Sequence, residues 1–156
     1  MKSLLLVLVV GTLLTGCASS RLSDSEMESL IENYIKENAI ERKHTVPSFK
    51  LISYSLLSDQ YLMIRSSLSR YLVVKLFTSC DSLNSAPGLV IKRQFGSSLS
   101  EGTDYVFTPD SIPYKCTISQ IYPFTKEQYK DLQSVIKTEI EEKELLEEQD
   151  EQTQPQ

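Results

Sequence analysis

The sequence predicts an α+β domain: a small antiparallel or barrel-like sheet of about five or six strands, flanked by an N-terminal and a C-terminal helix. Three observations carry this. Apolar residues at helical spacing follow a capping signal at Ser23. Short apolar segments separated by turn residues fill the stretch from Phe49 to Ile121. A second helical stripe begins after Pro123.

The first helix starts at Ser23-Asp24-Ser25-Glu26, where Ser23 and Glu26 stand in capping-box spacing. Met27, Leu30, Ile31, Tyr34 and Ile35 then fall on one helical face, with acids on the other. Asn38 is the expected end, and Val46-Pro47 forbids further helix. The first strand is expected over Phe49–Tyr54, the second over Tyr61–Arg65 and the third over Tyr71–Phe77, with turns at Ser58-Asp59 and Ser66–Ser69. The unbroken apolar run in the third predicts a strand covered on both faces. Pro87-Gly88 closes a loop, and Leu89–Lys92 reads as a short strand. Gln94–Asp104 reads as a Ser/Gly-rich connection and Tyr105–Phe107 as a strand. Pro109 and Pro113 bracket a bend before a last strand over Tyr114–Ile121. Thr125 and Gln128 repeat the capping-box spacing, and Tyr129, Leu132, Ile136 and Ile140 mark the second helix. The stripe fades into a Glu/Gln-rich tail; Glu and Lys are good helix formers, so the helix can run on into the early tail, and the last ten residues are expected to be disordered.

Charge is unevenly spread. The chain of 156 residues has a formal net charge of −5. Glu41–Thr138 holds twelve Lys/Arg against eight acids. Ala18–Ile40 carries two bases against five acids, and Glu139–Gln156 carries eight acids and only Lys143. A mildly basic centre between acidic ends suits a solubilised surface; an anionic partner is the less economical reading.

The N-terminus is the most informative stretch. Lys2 precedes an almost entirely Leu/Val segment, Ser3–Leu14. That is long enough for a signal segment and too short for a bilayer, which needs about 20 apolar residues. It ends in Leu14-Thr15-Gly16-Cys17, which resembles the lipobox of bacterial lipoproteins. The resemblance implies cleavage between Gly16 and Cys17, and acylation of Cys17 with chains of the palmitate class. The organisation expected is a signal segment at 1–16, a linker at 17–22, one globular domain at 23–140 and an acidic tail at 141–156. Two or three acyl chains hold a protein at a membrane essentially permanently. Ala18-Ser19 in place of an Asp after Cys17 resembles outer-membrane sorting, so the expected location is the cell envelope, lipid-anchored and facing the periplasm. The chain has three cysteines. With Cys17 consumed, Cys80 and Cys116 remain as a pair in a compartment where disulfides persist. The competing reading, a thiol nucleophile or metal ligand, lacks a third cysteine and has only His44 beside it.

Tyr71-Leu72-Val73-Val74-Lys75-Leu76-Phe77, then Cys80 with Leu83 and Ala86, then Cys116–Ile121, resemble blocks of a family of uncharacterised proteobacterial lipoproteins that carry a domain of unknown function. The resemblance implies an envelope lipoprotein whose two cysteines pair. It implies no activity.

Signals for chemistry are thin. His44 is the only side chain that titrates near neutral pH without a perturbed environment, and it sits in a charged connection with no nucleophile motif nearby. Asp104 and Asp110 flank a strand, but Asp at turns is ordinarily there for local hydrogen bonding. No metal-ligand cluster and no phosphate-binding glycine loop occurs in the sequence, so no cofactor is expected. Charge and compartment exclude nucleic acid. The tyrosines, Tyr54, Tyr61, Tyr71, Tyr105, Tyr114 and Tyr122, fall mostly in strands, where sheet packing is the default and a ligand groove the alternative. The expected role is a non-catalytic, membrane-anchored protein that binds another envelope component. The alternatives are a small-molecule or lipid-binding module with a cavity in the sheet and, behind it, a hydrolase using His44.

Overall fold

The computed structural model describes residues 21–84, 88–109 and 114–153. In chain order the elements are α1 (Asp24–Glu37), β1 (Thr45–Val46), β2 (Ser53–Leu56), β3 (Tyr61–Arg65), β4 (Arg70–Leu76), β5 (Val90–Lys92), β6 (Leu99–Ser100), β7 (Tyr105–Phe107), β8 (Cys116–Thr125) and α2 (Lys126–Thr153). Six strands form one antiparallel sheet in the order β2-β3-β4-β8-β7-β5, curled into a half-barrel, and β1 pairs with β6 in a separate ribbon. Two helices flank the sheet, as the periodicity predicts.

The two cores follow from alternation along the strands. In β4, Leu72, Val74 and Leu76 point to the inner face, and Tyr71 and Val73 to the helical face. In β3, Leu62 and Ile64 point inward, and Tyr61 and Met63 toward the helices. A bulge keeps β8 in step. Lys75 pairs with Gln120 but Leu76 pairs with Ile118, so Ser119 is the extra residue. One inserted residue lets Ile118 and Ile121 both face inward, which plain alternation would forbid. Loops and the β1–β6 ribbon close the inner face with Val46, Phe49, Leu83, Leu89 and Leu99.

On the opposite face, α1 contributes Ile31, Tyr34 and Ile35, and α2 contributes Leu132. Full burial of a Leu or Ile contributes about 1.5–3 kcal/mol. Two aromatic pairs set the helices on adjacent strands. The Tyr34 and Phe124 rings stack at 5.9 Å, and Tyr71 and Tyr129 at 4.2 Å. Tyr71 and Phe124 are themselves cross-strand partners.

Both capping boxes form. Glu26 N–H donates to Ser23 Oγ at 3.3 Å while Ser23 N–H donates to Glu26 Oε2 at 2.7 Å. At the second, Gln128 N–H donates to Thr125 Oγ1 at 3.2 Å and Thr125 N–H to Gln128 Oε1 at 2.9 Å. Asn38 ends α1.

Several elements differ from expectation, and β1 lies where no strand is expected. The first strand of the sheet is Ser53–Leu56, not Phe49–Tyr54, because Phe49 turns under the inner face, where its N–H donates to Ser97 O at 2.8 Å. The Gln94–Asp104 connection contains β6. The last strand runs past Ile121 to Thr125, through Pro123. Helix α2 runs on into the early tail, as the helix propensity of Glu and Lys allows, but it reaches Thr153, so most of the last ten residues, expected to be disordered, are helical.

Candidate functional site

Cys80 and Cys116 form a disulfide, with Cα atoms 6.1 Å apart. It joins the segment after β4 to the first residue of β8, and both sulfur-bearing residues are buried in the inner core. Gly16 and Cys17 lie outside the described residues, as does Asp110.

His44 belongs to a clasp around Glu101. The Glu101 side chain is only 7% exposed, whereas that of His44 is 83% exposed. Arg42 donates to both Glu101 oxygens, Nε to Oε1 at 2.9 Å and Nη2 to Oε2 at 2.8 Å. Ile121 N–H donates to Oε1 at 2.7 Å, and His44 Nδ1 lies 2.8 Å from Oε2. Burial alone would push the Glu101 carboxyl up; the hydrogen bonds from Arg42, His44 and Ile121 outweigh it and hold the carboxyl below its ordinary range. A carboxylate so engaged is a poor proton acceptor for a substrate. Its effect here is architectural. β7 pairs only with the Cys116-Thr117 end of β8. Farther along, Glu101 takes the Ile121 N–H, and Lys43 N–H donates to Ile121 O at 2.8 Å.

Asp104 is a second internal staple. Its Oδ1 accepts from Gln94 N–H at 2.8 Å and its Oδ2 from Ser100 N–H at 2.7 Å. The role goes beyond the local turn bonding expected for this residue, since the side chain is buried and Gln94 lies ten residues away. The tyrosines do not converge on one groove. Tyr61 and Tyr71 are buried beneath the helices, Tyr54 packs against the inner core and Tyr114 is exposed. Tyr61 Oη donates to Glu32 Oε1 at 2.8 Å, and Lys75 reaches the same oxygen at 2.6 Å.

A groove of about 750 Å³ lies between α1 and α2. The helices run antiparallel and are tied at two places. Near the start of α1, Lys143 Nζ donates to Glu26 Oε2 at 2.8 Å and to the Arg21 carbonyl at 3.4 Å. Near its end, Tyr34 Oη donates to Asp131 Oδ2 at 2.9 Å and to Gln128 O at 3.0 Å. Burial, helped by Asp131, pushes the Tyr34 hydroxyl up to about 12, so it stays a donor at any ordinary pH. The Lys143 ammonium, with help from Ser23, holds the Glu26 carboxyl down at about 2. Leu22, Leu30, Val135 and Leu146 supply the apolar lining. Sequence reading missed this groove. Its signal was a second α2 face, Val135, Glu139, Glu142 and Leu146, which lies beside the stripe that packs on the sheet.

Among the described residues, no group of three or more His, Cys, Asp or Glu side chains is placed to hold a metal ion, and no helix is long and apolar enough to cross a membrane. Neither a curated protein nor a solved structure matches the chain. A family model does match, over residues 1–141, a span that takes in Leu14–Cys17 and the whole sheet and stops within α2. The chain belongs to the family of unknown function DUF6491.

Proposed function

We propose that the protein is a non-catalytic lipoprotein of the cell envelope, anchored through acylated Cys17 to the outer membrane on its periplasmic side, and that its domain binds another envelope component. The observation that carries this reading is the division of labour among the three cysteines. Cys80 and Cys116 are joined inside the domain, and the third, Cys17, ends a Leu-Thr-Gly-Cys stretch behind an apolar leader. A buried disulfide fits an oxidising compartment. The binding role is favoured over catalysis because the carboxylate beside the single histidine is fully engaged by Arg42 and Ile121. It is favoured over a cavity in the sheet because Leu62, Ile64, Leu72, Val74, Ile118 and Ile121 fill the inner face at 0% exposure. Metabolic labelling with palmitate tests the anchor. Wild-type protein should carry the label and sediment with membranes. Cys17→Ser should accumulate as unprocessed precursor without label. Equal processing and labelling of the two proteins would overturn the reading.

A further inference from the structure

We infer that the α1–α2 groove is a docking site for a basic amphipathic helix of a partner protein. This rests on the binding role proposed above and names its site and the chemistry of its partner. Geometry supplies the first argument. Helix α1 has 14 residues, so the groove offers a track of about 20 Å at 1.5 Å per residue, the length over which an amphipathic helix lays its apolar face into a groove. Its lining contains apolar side chains that the fold leaves in water. Val135 is 38% exposed and Leu146 is 63% exposed.

Charge decides the occupant. Glu26, Glu37, Asp131, Glu139 and Glu142 line the groove with Lys143, whose ammonium is already paired with Glu26. An acidic rim around an apolar floor complements a helix with Lys or Arg beside its apolar stripe, and it repels anionic lipid headgroups. It also disfavours a second copy of this chain. The groove of a second copy carries the same acids, Glu26, Glu37, Asp131, Glu139 and Glu142, so two grooves laid face to face repel each other.

The test uses the full-length chain purified in nonionic detergent, with detergent alone as the blank. The probe is a fluorescent Leu/Lys peptide of about 18 residues, patterned as an amphipathic helix; its control is a scrambled peptide of the same composition without an apolar face. Anisotropy should show saturable binding of the patterned peptide. The scrambled peptide should bind at least about tenfold more weakly, and Val135→Lys or Glu139→Lys/Glu142→Lys should weaken the patterned peptide by a similar factor. These are exposed positions, so far-UV circular dichroism should be unchanged. Equal affinity for the two peptides, or indifference to Val135→Lys, would reduce the effect to bulk charge and overturn the inference. Failure of the patterned peptide to bind, or a crosslinked dimer that Val135→Lys abolishes, would do the same. The palmitate label on the same protein separates the two readings. Peptide binding without label removes the anchor and leaves the groove; label without peptide binding does the reverse.

Discussion

The two faces of the sheet are covered in different ways. Helices cover one face, and they arrive with their backbone hydrogen bonds already made, so side chains alone can hold them. Stacked rings and aliphatic residues do this, with ion pairs such as Glu26–Lys143 left half in water. Loops and a two-residue ribbon cover the other face. Irregular backbone leaves N–H groups without ladder partners, both its own and those of the strand it covers, and carboxylates are built in to receive them. Glu101 takes the N–H of Ile121, and Asp104 those of Gln94 and Ser100. The disulfide sits on this side too. The difference teaches that a loop-covered face needs directional staples where a helix-covered face is held mainly by packed surface, and the two helices leave a groove between them.

Breaking the disulfide should strike hardest. Cys80 and Cys116 are 36 residues apart, and closing a loop of that size contributes about 4 kcal/mol on the chain-entropy account. Urea melts of the Cys80→Ala/Cys116→Ala variant should lose about that much. Helical far-UV and tyrosine near-UV signals should still fall together. Separate transitions would mean that the two faces unfold independently.

Glu101→Gln comes next. It keeps the shape and removes the charge that Arg42 grips, for an expected loss of about 2 kcal/mol near neutral pH. The sign with pH follows from the lowered carboxyl. Glu101 contributes fully above the ordinary carboxylate value of 4.5 and loses its contribution as pH falls through its lower folded value. The gap between wild type and Glu101→Gln should therefore close in acid, and a gap that stays constant down to the acid transition would refute the charged clasp. Lys143→Ala should have the smallest effect, a melting shift below that of Glu101→Gln and one that added salt erases. Its clear readout is local. Carboxyl titration by NMR should find Glu26 near 2 in the wild type and back toward 4.5 in the variant.

The same contrast explains what could be read in advance. Regular elements announce themselves by period. The stripe from Met27 to Ile35, the run from Tyr71 to Leu76 and both capping boxes were all legible, because each signal lies within a few neighbouring residues. The disulfide was legible from cysteine number and the expected compartment. The staples were not. Arg42 and Glu101 are 59 residues apart, and a single Glu in a Ser/Gly-rich stretch has no period. Phe49 looked like the start of a strand because it opens an apolar stretch, but tertiary burial drew it under the inner face. Pro123 looked like a strand end. It is tolerated because β7 stops at Thr117 and leaves the outward side of β8 unpaired there.

That stretch of β8 also bears on solubility. A strand with open N–H and C=O groups is a template for another chain. Beyond Thr117, β8 offers little to copy. A carboxylate occupies the Ile121 N–H, Lys43 N–H occupies its carbonyl, and Pro123 has no N–H to give. At high concentration, therefore, intermolecular strand addition is blocked along this edge by the same residues that hold the loops in place.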